Sequence, residues 1–286
     1  VTLNNYQFQF GSFQFGGAGS PFQIISVDGL ESLPQMRVQD DNRGFNDGAF
    51  SGRDFYSGRT ITFTVHVFAG NGNSAHQNFN LFQQYLQPQQ SGTQTLQFLL
   101  SQTDTEKQLN ARVRSRTVHI DPEYTFGYIR CQVSMFAPDP RYYDNLVQVA
   151  RITPSGVING RTYNRVYDLS YGGGSLTNTV TIINAGWIYT SPIITINGPI
   201  TNPAVSYVEG GQTITVNFTL GAFDQLVLDM TQNVATLNGS PVRNLVSAGS
   251  QWFTIPANST ATISLNGTAV TAGTTSATVN WKNAYI

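Results

Sequence analysis

Phe136-Ala137-Pro138-Asp139-Pro140-Arg141-Tyr142-Tyr143-Asp144 divides this chain, and the residues on its two sides read differently. Just before it, Ile129-Arg130-Cys131-Gln132-Val133-Ser134-Met135 alternates apolar with polar, the period of a half-buried strand. Two prolines then end the ladder, because proline has no backbone donor and holds the residue before it extended. Residues 1–150 hold 10 Lys+Arg and 12 Asp+Glu, whereas residues 151–286 hold 5 and 4. The fall in charge, with a rise in Thr, Asn, Ile and Val, predicts a domain boundary near residue 145. The domains are then 1–145 and 146–286.

At 286 residues the chain has the length at which one core gives way to two. Apolar residues make up 40%, enough for packed cores, and charged residues only 11%. Disorder needs the opposite balance. A surface of Asn, Gln, Thr, Ser and Gly follows, suited to burial against other chains. With a net charge of −1, no general attraction to nucleic acid or anionic membrane is indicated. A single Cys131 makes no internal disulfide. No run approaches the roughly 18 apolar residues of a membrane span, and the N-terminus shows no signal-peptide core. The expectation is a soluble protein made in the cytoplasm.

In the first half, Gln7-Phe8-Gln9-Phe10-Gly11 is echoed by Phe13-Gln14-Phe15-Gly16. Two readings stand: an opening hairpin with aromatic core contacts, or an arm packing on a neighbouring subunit. Residues 21–30 read as a strand ending in the turn pair Asp28-Gly29. Residues 40–58 read as a long polar loop, of a length that marks an interaction element. Its Asp40, Asp41, Asn42, Asn46 and Asp47 lack calcium-loop spacing. In residues 60–68, Ile61, Phe63, Val65 and Val67 share one strand face and His66 lies on the other. Ser74-Ala75-His76-Gln77 has capping-box form, and Ala75, Phe79, Phe82, Tyr85 and Leu86 recur at helical spacing before Pro88. This predicts a helix over 74–86 covering one face of the first sheet. Strands follow at 96–100 and 109–120. In the latter, Arg112, Arg114 and Arg116 alternate, placing three guanidinium groups on one face. That face is either solvated or meets acidic groups of a partner, which suit arginine's planar fork.

The second half reads as all-β, with strands near 179–183, 193–196, 213–220, 225–230, 234–237, 261–265 and 277–281. Asn-Gly pairs at Asn197-Gly198, Asn238-Gly239 and Asn266-Gly267 punctuate them. Many short strands so spaced indicate a sandwich or jelly roll.

Catalytic chemistry is missing from the pattern. There is no Gly-x-Ser-x-Gly elbow, Walker loop or His-Glu-x-x-His. Gly172-Gly173-Gly174 lacks the lysine of a phosphate loop and reads as a flexible turn. His66, His76 and His119 have no metal-ligand spacing. The acids of the second half are Asp168, Glu209, Asp224 and Asp229. A spacing of five along one strand puts Asp224 and Asp229 on opposite faces, unlike a glycosidase pair. Cys131 falls on the apolar register. No catalytic residue, metal site or cofactor is expected. Sequons such as those at Asn217, Asn258 and Asn266 are what chance gives in a chain rich in Asn and Thr.

An ordered set of motifs resembles the distal tail proteins of long-tailed siphovirus bacteriophages. It comprises Phe15-Gly16, Phe22-Gln23-Ile24, Val27-Asp28-Gly29-Leu30 with Pro34 and Arg37, Arg43-Gly44, Asp47-Gly48, Gly58-Arg59-Thr60-Ile61 and Asp139-Pro140-Arg141-Tyr142. It continues with Ile183-Asn184-Ala185-Gly186, Ser191-Pro192-Ile193-Ile194-Thr195-Ile196-Asn197-Gly198, Leu226-Val227-Leu228-Asp229, Leu237-Asn238-Gly239, Trp252-Phe253-Thr254-Ile255-Pro256-Ala257-Asn258 and Trp281-Lys282. Ala257 departs from the family's frequent Gly. The resemblance implies a mainly β protein: an N-terminal tube-type β-sandwich with one flanking helix, and a C-terminal galectin-like or jelly-roll β-sandwich. It implies a virion protein at the distal end of the tail, assembled in the host cytoplasm as a ring of six. Its partners would be the tail-tube protein, the tail-tip or tail-associated lysin protein, and receptor-binding proteins. Neither sequence-specific nucleic-acid binding nor membrane insertion is implied.

Arg112, Arg114, Arg116 and the 40–58 loop, with Arg43 and Asp47, are thus expected at subunit or tube contacts. An alternative function is host carbohydrate binding, since galectin-like sandwiches stack sugars on exposed aromatics. Trp187 and Trp252 are the candidates, although all three tryptophans, Trp281 included, sit beside apolar residues and read more readily as core. A cell-wall hydrolase is the third reading, and no activity is expected.

Overall fold

The computed structural model describes residues 2–69, 72–154, 178–268, 270 and 274–286. Gly172-Gly173-Gly174 and Asp168 lie outside the described residues. The protein is mainly β, with one α-helix among the described residues, and its sheets are open rather than closed. It divides into two compact units, Val1–Asn145 with Tyr285–Ile286, and Leu146–Ala284. The last two residues therefore lie with the first unit: the Tyr285 ring stacks on Tyr142 at 5.8 Å, and Lys107 Nζ lies 5.0 Å from its centroid.

The first unit is one antiparallel sheet bent over on itself. Its strands run in the order Phe13–Gly16, Gln7–Phe10, Gln94–Leu99, Lys107–His119, Tyr128–Ala137, Arg59–Phe68 and Phe22–Asp28. The long strand Lys107–His119 belongs to both halves. Residues 107–111 pair with the strand Gln94–Leu99, and residues 112–119 pair with Tyr128–Ala137. The two halves face each other across an aromatic core. Phe8 and Phe15 of the first half lie 5.2 and 5.3 Å from Phe63 of the second. The paired Phe residues of the opening hairpin are all buried, as are Ile61, Phe63, Val65 and Val67. The opening therefore follows the hairpin reading.

The helix spans Gly72–Tyr85, so Ser74 lies inside its first turn rather than capping it. Phe82 touches Phe13 at 6.0 Å and Phe22 at 5.9 Å, one on each edge strand, and so seals the opening between the edges. Ala75, Phe79, Phe82 and Leu86 are buried, whereas Tyr85, expected with them, is half exposed and stacks on Phe13.

The second unit is two facing antiparallel sheets. One runs Gln148–Ile152, Ser276–Trp281, Ile193–Asn197, Gln225–Asp229, Val234–Leu237 and Ser240–Pro241. The other runs Thr179–Asn184, Ser259–Thr268, Ile200–Tyr207 and Gln212–Thr215, with Thr219–Leu220 paired to Ile200–Tyr207. Ile194, Ile196, Leu226 and Val279 of the first meet Ile182, Val205, Ile263 and Leu265 of the second in one core. The single strand expected over 213–220 is two, because the backbone between them bonds elsewhere: Val216 N–H donates to Pro203 and Asn217 N–H to Leu245. Ile200–Tyr207 is a strand despite Pro203. Its register shifts between Thr201 and Ala204, with Asn202 at φ +50°, so the proline sits in a bulge where no ladder donor is needed.

Asn184 organises one end of this unit. Its side chain is fully buried, its Nδ2 donates to the carbonyls of Ile188 and Pro256 at 2.8 and 2.9 Å, and its Oδ1 accepts from Gly186 N–H. Gly186 admits no side chain, since a Cβ there would lie 2.1 Å from the Ala284 carbonyl oxygen. Trp281 Nε1 donates to the Ile183 carbonyl at 2.8 Å. Replacing Asn184 by Ala orphans these groups, which costs about 2–3 kcal/mol. All three tryptophans belong to this unit, so their fluorescence should show its urea transition moved to lower denaturant.

Cys131 is buried and burial pushes its thiol up to about 12. Native protein should therefore leave a disulfide reagent unreacted at pH 8, and one equivalent should react once the chain is unfolded in urea.

Candidate assembly surface

Residues 35–56 are exposed without exception. Rather than an irregular loop they form a hairpin of two short ribbons. Met36–Arg37 pairs with Phe55–Tyr56, and Asp41–Asn42 pairs with Ala49–Phe50. Between the ribbons Gly52 N–H donates to Asp40 Oδ1 at 2.9 Å, and a Cβ on Gly52 would lie 1.8 Å from the Gln39 carbonyl oxygen, so only glycine lets the two sides approach. At the tip, Arg43 N–H donates to the Gly48 carbonyl, and Asp47 lies in the intervening turn.

This arm carries apolar side chains with no core to enter. Phe45 at the tip is fully exposed, and Val38 and Phe50 are more than half exposed. Arginines stack on its rings: Arg43 on Phe50 at 5.0 Å, and Arg37 and Arg53 on Phe55 at 5.7 and 5.3 Å. These pairs present flat, amphipathic surfaces of the kind enriched at interface centres. From residue 36 to 56 there are three Arg and four Asp, so bulk charge is not what the arm offers a partner.

The arm's root joins a second feature. A Cβ on Gly58 would lie 2.4 Å from Phe136 Cζ, so the Phe136 ring lies directly against the chain as it leaves the arm. Arg114 and Arg112 stack on that same ring at 4.6 and 6.0 Å. Arg112 Nε is buried with no hydrogen-bond partner.

The expectation that Arg116 shares this face is corrected by the backbone. The register with Tyr128–Ala137 shifts between Val113 and Ser115, leaving Arg114 unpaired at a bulge. One extra residue reverses the alternation that follows. Arg116 becomes the partner of buried Val133 and points to the core side. There its Nη1 donates to the carbonyls of Gln83 and Leu86, both at 3.2 Å, at the helix C-terminus. The last helical turn holds no basic residue of its own, so Arg116 supplies the cation that end favours. Arg112 and Arg114 at the root are thus brought onto the surface from which Arg43 and Asp47 project, and Arg116 is withdrawn from it. Arg37, Arg53, Phe45, Phe50 and Phe55 escaped the sequence reading. Their signal was the interleaving of Arg with Phe in a stretch read only for its polarity.

The aromatic candidates of the second unit separate. Trp187 is 67% exposed, contrary to a core reading, while Trp252 packs on the core and Trp281 is buried. The carboxylates of Asp224 and Asp229 both serve turns. Asp224 accepts from Gly221 N–H and Asn238 Nδ2, and Asp229 from the Thr231 and Gln232 amides. No group of three or more His, Cys, Asp or Glu side chains suited to a metal ion occurs among the described residues.

Residues 185–285 match the family described as siphovirus-type tail component, C-terminal domain. In three dimensions the chain is similar to the SPP1 Dit (gp 19.1) protein, described as a paradigm of the hub adsorption apparatus in phages that infect Gram-positive hosts. The TM-score is 0.68 at 11% identity, over 98% of this chain and 99% of that one. It is also similar to a chain of the phage P2 baseplate in its activated conformation with Ca, with a TM-score of 0.51 at 11% identity over 96% and 97% of the two chains. No curated protein matches the sequence. The matched family is one of structural components and not of enzymes. Residues 185–285 therefore resemble the C-terminal domain of siphovirus-type tail components, and the chain shares the fold of the SPP1 Dit protein over nearly its whole length.

Proposed function

We propose that this protein forms the hub ring at the distal end of a siphovirus tail, a closed assembly of about six copies. The ring joins the tail tube to the tail-tip or tail-associated lysin protein and carries the receptor-binding proteins. The first unit forms the ring, and the second is a galectin-like sandwich at its periphery. The ring is built in the host cytoplasm and functions in the virion. The observation that carries this reading is the arm. A two-stranded hairpin is marginal alone in water, yet this one exposes Phe45, Phe50 and Val38. Docking on a neighbouring copy buries them. The low charge of the chain, 11%, suits surfaces that become interfaces.

Light scattering on the purified protein should give about six times 31.3 kDa, with a central hole in negative stain. A species that stops at a two-fold dimer, alone and with its tail neighbours, would overturn the ring.

Reversing the exposed Arg114 to Glu should abolish assembly while the unfolding transition of the monomer stays within about 0.5 kcal/mol, as surface substitutions do. Arg116→Ala should do the converse. It should cost about 1–2 kcal/mol of stability through the helix end and leave assembly in place. Equal effects of the two changes on assembly would show that the bulge does not sort the arginines.

A further inference from the structure

Arg59 is the first residue of its strand and follows directly on the arm, yet it is only 2% exposed. A buried guanidinium requires compensation. Among the described residues no carboxylate pairs with it. It is held by four backbone carbonyls from two places in the sequence, residues 29–32 and residue 140. Nε donates to Pro140 at 2.9 Å, and Nη1 to Gly29 at 3.0 Å, to Ser32 at 2.8 Å and to Leu30. Its plane lies over the Tyr142 ring at 5.6 Å. Nη2 is buried with no hydrogen-bond partner.

The two sides of this clamp are the two roots of the arm. Residues 29–32 lead into it, and Arg59 is where the chain leaves it. Gly29, at φ +82°, brings the incoming root so close that a Cβ there would lie 2.1 Å from the Thr60 carbonyl oxygen. Arg141, which is nearer in sequence to Pro140, is engaged elsewhere, with Nε and Nη2 on the Asp139 carboxylate at 2.9 and 3.0 Å. The arm itself adds few constraints of its own at the base. Ser57 N–H donates to the Gln35 carbonyl at 2.8 Å, and the Met36–Arg37 ribbon follows.

We infer that Arg59 is the positioning residue of the assembly arm: its buried guanidinium clamps both arm roots to the 140–142 segment and so fixes the direction in which the arm projects. A planar fork meets several carbonyls at once, which a lysine ammonium cannot do in the same plane. The arm is thereby held in one direction before docking, which reduces the entropy lost on association. This inference rests on the arm's role in assembly.

Amide hydrogen exchange on the unassembled chain tests it, with Arg59→Lys and Arg59→Met. Exchange at Ser57 and in the 36–37 and 55–56 ribbon should quicken at least about tenfold, the effect of losing one charge-assisted hydrogen bond. Amides of residues 61–67 should stay protected. Assembly of Arg59→Lys should weaken by a similar factor. Unchanged exchange at the arm roots would overturn the inference. So would equal loss of protection in arm and core, which would make Arg59 a residue of the whole fold, or quickened roots with unaltered assembly. A chain in which residues 38–54 are replaced by a short turn examines the underlying reading separately. If it assembles like the wild type, the arm is not the contact, whatever exchange shows at Arg59.

Discussion

The first unit depends on one strand serving two half-sheets. Lys107–His119 has 13 residues, far beyond the five or six of an ordinary strand. Its length lets it pair with Gln94–Leu99 at one end and Tyr128–Ala137 at the other without a break in the ladder between sheets. The bulge between Val113 and Ser115 falls soon after the change of partner, and bulges bend a strand and increase its twist. Bending brings Phe8 and Phe15 against Phe63, and the aromatic core follows. The same extra residue reverses the side-chain alternation. It turns Arg116 inward to the helix end and leaves Arg112 and Arg114 outside on Phe136. Core formation and the sorting of the arginines are two consequences of one local irregularity.

Strand faces with one buried side were legible because their period is written in the residues. Ile61, Phe63, Val65 and Val67 are all fully buried, and most strands of the second unit lie within a residue or two of where alternation and Asn-Gly turns put them. Asn238 at φ +49° and Gly239 at φ +83° show why that pair marks a turn. What stayed hidden depends on partners distant in sequence. A bulge is a property of two strands in register, so nothing within residues 112–116 announces it. The bond from Arg116 to Leu86 spans 30 residues. The strand Ile200–Tyr207 was concealed by Pro203, because the irregularity that accommodates proline is again set by neighbours. The arm read as a loop because its ribbons are two residues long, too short for any period to show.

The motifs that carried the family resemblance are explained by contact rather than by proximity in sequence. Arg59 gathers the Gly29-Leu30 turn and the Pro140 and Tyr142 positions. Asn184 gathers Gly186 and Pro256, and Trp281 bonds back to the residue before it. Each hub is a buried polar side chain whose several bonds are satisfied by backbone carbonyls or amides. Such groups tolerate little change, since truncation strands all their partners at once. Apolar positions such as Ile194 or Val279 need only size and hydrophobicity. A fold shared at 11% identity is what that difference allows.

The arm concentrates exposed apolar side chains in one short stretch. Everywhere else in the first unit the large aromatics of the opening strands are buried, and the sheet's open side is sealed by Phe82. In residues 35–56 nothing is buried, although Phe45, Phe50 and Phe55 are as apolar as the core phenylalanines. Stacking by Arg37, Arg43 and Arg53 shields one face of the Phe50 and Phe55 rings and leaves Phe45 bare. With three Arg against four Asp, neither charge repulsion nor net solvation accounts for the hairpin's extension. At its base Arg59, where the chain leaves the arm, donates to the carbonyls of residues 29–32, where the chain enters it. A hairpin tied at its root by Arg59 and apolar at its tip has the form of an element that docks, and in the ring proposed above a second copy of the chain is the partner within reach of every arm.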